Sequence, residues 1–110
     1  MDTPCTEHAV LDVAVDRIGA FESAFERALP LMHVQTGFRW LRLLRVEGTP
    51  GRYVLLVGWD SREAHELGFR RSPEYVRWKE LLHGFYDPVP VVDHCDTVLS
   101  SSAQGGPASR

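Results

Sequence analysis

The chain has 110 residues, 44% of them hydrophobic and 25% charged, with a net charge of −3 and a pI of about 5.9. That is the length of one domain with enough apolar content for one core, which excludes a disordered chain and a multidomain architecture. The acidic balance leaves no basic footprint for nucleic acid or anionic lipid, and no apolar run approaches the ~20 residues of a membrane span.

Residues 1–7 read as a polar leader lacking the basic start and apolar stretch of a secretory signal, so a cytoplasmic protein is expected. Its two cysteines, Cys5 and Cys95, are then free thiols in a reducing compartment. The folded unit is expected over residues 8–99, followed by a disordered Ser/Gly-rich tail over 100–110. From His8 to Val15, apolar and polar side chains alternate, which predicts a strand. Phe21, Ala24, Phe25, Ala28 and Met32 then fall on one helical stripe. Pro30 would clash with the carbonyl of Glu26, so this helix is expected to end or kink near Leu29.

Thr36-Gly37 turns the chain into two strands, Phe38 to Glu47 and Arg52 to Trp59, joined through Gly48-Thr49-Pro50-Gly51. The second is apolar on both faces, with Tyr53, Leu55, Val57 and Trp59 on one and Val54, Leu56 and Gly58 on the other, as in a central strand. Asp60-Ser61 caps a short helix through Leu67, and Ser72-Pro73 starts another. Tyr75, Trp78, Leu82 and Phe85 form the stripe of that last helix, Asp87-Pro88 breaks it, and Val89 to Leu99 is the final strand. The order is β-α-β-β-α-β. It predicts an α+β, ferredoxin-like fold with an antiparallel sheet and both helices on one face. The other sheet face is also apolar, and a second copy of the sheet would cover it, so a homodimer is expected.

Metal and nucleotide motifs are missing. The residue where His65-Glu66 would need its second zincin histidine is Phe69, and there is no glycine-rich phosphate loop and no GxSxG elbow. No metal and no cofactor are expected.

The Trp59-Asp60-Ser61-Arg62-Glu63-Ala64-His65 segment, followed by Gly68-Phe69-Arg70-Arg71-Ser72-Pro73-Glu74-Tyr75 and Trp78, resembles the antibiotic biosynthesis monooxygenase family of dimeric α+β barrels. The resemblance spans the folded unit, up to Val91-Val92-Asp93-His94. It implies a homodimer with one pocket per subunit, between sheet and helices. Members of the family oxidise phenolic polycyclic intermediates with O2 and no metal, flavin or haem. By that resemblance this chain would be a cofactor-independent monooxygenase acting on a hydrophobic or aromatic small molecule. Two other functions stay open: a cyclase or isomerase using the same pocket without O2, and a non-catalytic dimeric binding protein for a small molecule.

By the same resemblance Trp59 would pack the substrate and offer its indole N–H, and His65 would face the pocket as proton acceptor. Leu55 stands where anthrone-oxidising members often carry asparagine. Phe69, Arg70, Tyr75, Trp78 and His83 are the further pocket candidates, and His94 is another possible donor. The haem-degrading branch needs an asparagine in the first strand, and this sequence contains none. Lying on a short helix, His65 is expected to contribute little to the core.

Overall fold

The computed structural model describes residues 4–103, and its first strand starts inside the expected leader. β1 runs Cys5–Asp12, with Cys5, Glu7, Ala9 and Leu11 all buried on one face. Residues 5–7 are therefore part of the sheet, because their alternation continues that of Ala9 and Leu11. The leader's residues 1–3 and the tail's residues 104–110 lie outside the described residues. β1 also ends earlier than expected. Val13 lies past the strand, with an isolated bridge to Tyr86 and its N–H donated to the Gly51 carbonyl at 2.8 Å, and Val15, 65% exposed, begins a 3₁₀ turn over Val15–Arg17.

The helix α1 spans Ile18–His33 and buries the whole stripe of Phe21, Ala24, Phe25, Ala28 and Met32. Pro30 does not end it. The proline removes one N–H donor, but Glu26, which loses that partner, is exposed, and the fully buried Met32 holds the final turn against the core. Gly37, with a φ of 87°, then reverses the chain, and its carbonyl accepts a hydrogen bond from the Asp60 N–H at 2.8 Å.

β2 (Phe38–Arg45) and β3 (Arg52–Trp59) form the hairpin. The sheet order is β2-β3-β1-β4, antiparallel at every pairing. β3 and β1 are thus the central strands, as the two-sided pattern of β3 requires. After β3, Ser61 Oγ accepts the Ala64 N–H at 3.1 Å and starts a short helical turn. This turn is wound as a π-helix over Ala64–Gly68 and runs into a 3₁₀ turn over Phe69–Arg71. Ser72 caps α2 (Pro73–Leu82) by accepting the Tyr75 N–H at 3.2 Å, with Pro73 in the first turn. Phe85 lies beyond this helix rather than on its stripe, with the Arg17 guanidinium 4.3 Å from its ring centre.

The last strand, β4, is only Val92–Cys95. It was expected to run from Val89 to Leu99. Pro88 and Pro90 remove two ladder donors before it, and β4 pairs with β1 only from Ala9 to Thr6. Beyond Cys95 the edge of β1 runs out, and Val98 and Leu99 are about 90% exposed.

The helices cover one sheet face. The opposite face carries Val10, Trp40 and Leu44, each 38–44% exposed, beside half-buried Val54 and Leu56. The Trp40 indole lies across the β3 backbone at Gly58, where a side chain would occupy the same space as the ring.

Candidate active site

Between sheet and helices lies a cavity of about 90 Å³. Leu55 from β3 lines it beside Ala9 and Leu11 from β1. Phe69 and Arg70 enter from the 3₁₀ turn, Tyr75 and Trp78 from α2, and His83 from its C-terminal end. All six residues named as pocket candidates therefore meet at one cavity. Tyr86, Val89 and Pro90 complete the rim. The Phe69 ring sits edge-on to both Tyr75 and Trp78, at centroid distances of 5.1 and 5.5 Å, so the wall is aromatic and rigid.

Three polar side chains converge at the β1–β4 end. Glu7 and His94 are directly paired across the antiparallel strands and so share the helix-facing side of the sheet. His65 descends onto them from the π-wound turn. Its Nε2 is 3.4 Å from Glu7 Oε1, and its Nδ1 is 2.8 Å from His94 Nε2. Glu7 and His65 line the cavity, whereas His94 stands behind His65 at the sheet edge, half-buried. A π-turn widens the helix by one residue, and here that extra residue lets the imidazole reach the sheet.

His65 is 2% exposed and belongs to the core, contrary to its expected peripheral place. It packs 5.5 Å from the Trp59 ring centre and 6.4 Å from that of Phe69. Burial, with Arg70 and His94 adding to it, lowers its pKa from 6.5 to about 4, so the ring is neutral at physiological pH. The 3.4 Å contact to Glu7 is therefore not an ion pair with an imidazolium.

Trp59 is fully buried and does not line the cavity. Its indole N–H donates to Glu7 Oε1 at 3.1 Å instead of pointing at the cavity. Burial pushes the Glu7 carboxyl above its ordinary pKa, while the Trp59 hydrogen bond and the charge of Arg70 act the other way. Burial likewise lowers His83, helped by Lys79, and lowers His94, helped mainly by Arg62. A buried carboxylate with a raised pKa beside a neutral imidazole is an arrangement suited to accepting a proton. Among the described residues, no group of three or more His, Cys, Asp or Glu side chains is arranged to hold a metal ion.

Glu7 was missed in the sequence because it fell within the supposed leader. The signal was there: Cys5, Glu7, Ala9 and Leu11 share one period-2 face, and a charged residue on that face is an anomaly. That His94 faces Glu7 depends on strand register, which the sequence does not print.

Comparison with known proteins bears on this site. The sequence profile described as "Antibiotic biosynthesis monooxygenase" matches residues 4–81. The uncharacterized protein YczJ of Bacillus subtilis (strain 168) is 39% identical over 92 residues, covering 84% of this chain and 97% of its own. A Bordetella bronchiseptica structure assigned to the antibiotic biosynthesis monooxygenases superposes with a TM-score of 0.83 at 30% identity, covering 89% of this chain and all of that one. SnoaB, a cofactor-independent oxygenase from Streptomyces nogalater, has a TM-score of 0.69 at 20% identity, covering 94% of this chain and 99% of its own. This last likeness is one of fold.

Proposed function

This chain belongs to the antibiotic biosynthesis monooxygenase family, and we propose that it is a cofactor-independent oxygenase of a small phenolic molecule. The observation that carries the reading is the buried Glu7–His65 pair facing an aromatic-walled cavity. A phenol is a poor electron donor to O2, whereas its phenolate is a good one. The pair takes the phenolic proton. The phenolate then gives one electron to O2, and the resulting radical and superoxide join at ring carbon as a peroxide, which takes up that proton. Loss of the ring C–H proton to the pair expels hydroxide, which that proton converts to water. A phenol and O2 thus become a quinone and water, with one oxygen atom in each product. SnoaB, being described as a cofactor-independent oxygenase, supports this chemistry on the fold.

The chain's own residues supply base, packing and dryness. Glu7 and His65 hold the proton. Trp59 acts by fixing Glu7 Oε1, and Phe69, Tyr75 and Trp78 pack the ring. Leu55 floors the cavity with an apolar surface, so ring orientation falls to Arg70 and His83 at the rim. A cavity of about 90 Å³ is smaller than the ~300–1,000 Å³ of drug-sized sites, which favours a one-ring phenol over a polycyclic anthrone. A second copy of the chain covers the outer face at Trp40, Leu44 and Leu56, giving the homodimer that two-sided burial of β3 calls for.

The test is oxygen uptake by metal-stripped, colourless protein against a panel of one-ring phenols with a free para C–H and of anthrones. Uptake with stoichiometric quinone formation is expected for the smaller substrates. Turnover under argon would replace this reading with the cyclase or isomerase, and tight binding without turnover would replace it with the binding protein.

A further inference from the structure

We propose that Glu7, His65 and His94 form a proton relay, in which Glu7 takes the substrate's proton and His94 carries it out on the far side of His65 from the cavity. The inference rests on the proton-accepting role given to the cavity above, but not on O2 being the co-substrate.

The contacts run in series from Glu7 to His65 to His94. Glu7 lines the cavity, His65 stands between, and His94 lies beyond reach of the cavity at the half-exposed sheet edge. The His65–His94 separation of 2.8 Å is a firm N–H···N hydrogen bond, and the Glu7–His65 separation of 3.4 Å is longer than one. One tautomer set accounts for both distances. His65 carries its proton on Nδ1 and donates it to a bare His94 Nε2. Its own Nε2 is then bare and faces a carboxylate oxygen, two acceptors with nothing between them. Oε1 is meanwhile satisfied by the Trp59 N–H.

A proton arriving on Glu7 fills that gap. The new carboxyl O–H donates to His65 Nε2, and the contact shortens, as catalytic hydrogen bonds do when substrate binds. Transfer to Nε2 releases the Nδ1 proton to His94. His65 ends neutral as the opposite tautomer, Glu7 is a carboxylate again, and the positive charge sits on His94. No proton is created or lost, and the substrate anion is separated from its proton by a neutral ring.

The surroundings suit each member. Burial makes a charged His65 unfavourable, so the ring passes a proton on instead of keeping it. His94 faces Glu66 from the π-wound turn and has Asp93 beside it on β4, and both favour its charged form, while Arg62 and Arg70 oppose it. Burial and Arg62 keep its pKa below the ordinary histidine value, so it holds the proton loosely and can pass it on again. Holding the proton on His94 keeps it away from the phenolate while O2 reacts, and the same path returns it to Glu7 when the peroxide takes it up.

The ring nitrogens of the resting protein give the direct test. Nitrogen-15 NMR at neutral pH is expected to show His65 protonated on Nδ1, with a scalar coupling across the bond to His94 Nε2. Protonation of His65 on Nε2 instead would overturn the relay. A second arm binds a nitrophenol, which O2 does not attack, and follows its ionisation by absorbance. After a pH jump, ionisation should be slower in His94→Ala and be restored by added imidazole, and His94→Gln should be equally slow without rescue. Unchanged ionisation rates in both variants would overturn the relay. Normal relay behaviour with no oxygen uptake would instead remove only the oxygenase reading.

Discussion

Acid should unfold this protein through His65. In the folded chain the imidazole stays neutral down to about pH 4, whereas in the unfolded chain it protonates near 6.5. Between those values the unfolded state binds a proton that the native state does not, so stability falls as pH falls. At 1.36 kcal/mol per pH unit, the interval from 6.5 to about 4 corresponds to about 3 kcal/mol, lost in full only below pH 4. For a domain stable by roughly 5–15 kcal/mol, that is a large share. Glu7 works in the opposite sense. Its pKa is raised on folding, so on acidification the native state takes up that proton first and part of the loss is offset. The comparison is therefore cleanest in a Glu7→Gln background. Urea unfolding followed by circular dichroism, in steps from neutral pH to pH 4, should show Glu7→Gln losing about 3 kcal/mol more than Glu7→Gln/His65→Gln. Equal losses in the two proteins would mean that His65 is not held neutral by burial, and the reasoning about the site would fail with it.

Trp59→Ala should cost on the order of 3–5 kcal/mol in thermal or urea unfolding, because it empties the volume of a fully buried ring. Trp59→Phe keeps most of the ring but removes the donor to Glu7, and should cost about 1.5–3 kcal/mol while moving the acid limb of the rate profile to higher pH. Glu7→Gln should raise the melting temperature at neutral pH, where the buried carboxylate is a burden, and lower turnover by about 10²–10⁴-fold. Gly37→Ala should destabilise by about 1–2 kcal/mol from its φ of 87° alone, and its Cβ would meet that of Ala64 at 2.7 Å, next to His65. Leu56→Glu on the outer sheet face should give a folded monomer in sedimentation equilibrium, with far-ultraviolet circular dichroism unchanged.

Most of the frame was legible because local chemistry and tertiary structure agree. β3 reads as central from Tyr53 to Trp59 and is central, and Ser72-Pro73 reads as a helix start and caps α2. The readings that failed were those in which one residue was given too much authority. Pro30 was read as ending or kinking the helix near Leu29, yet α1 runs on to His33, where one lost hydrogen bond is outweighed by burying Met32. Val89, Val91, Val98 and Leu99 look like strand residues, but the length of β4 is set by the edge of β1 available to pair with it. The cavity wall was legible as well, since Phe69, Tyr75 and Trp78 lie close in sequence. Its polar end was only partly so. Glu7, His65 and His94 come from three distant segments, and only the register Glu7↔His94 and the π-wound turn bring them together. The Trp59 N–H, expected at the substrate, is turned to Glu7 by the β1–β3 register, in which Trp59 pairs with Cys5, two residues from Glu7 on the same face.

The oxygenase assignment is tested most directly by isotope. Metal-stripped protein would turn over a one-ring phenol with a free para C–H under ¹⁸O₂, with mass spectrometry of the product. The proposed chemistry requires one ¹⁸O atom in each quinone formed, and loss of that product when Glu7 is replaced by Gln. Product formed without ¹⁸O, or formed equally well by Glu7→Gln, would contradict it.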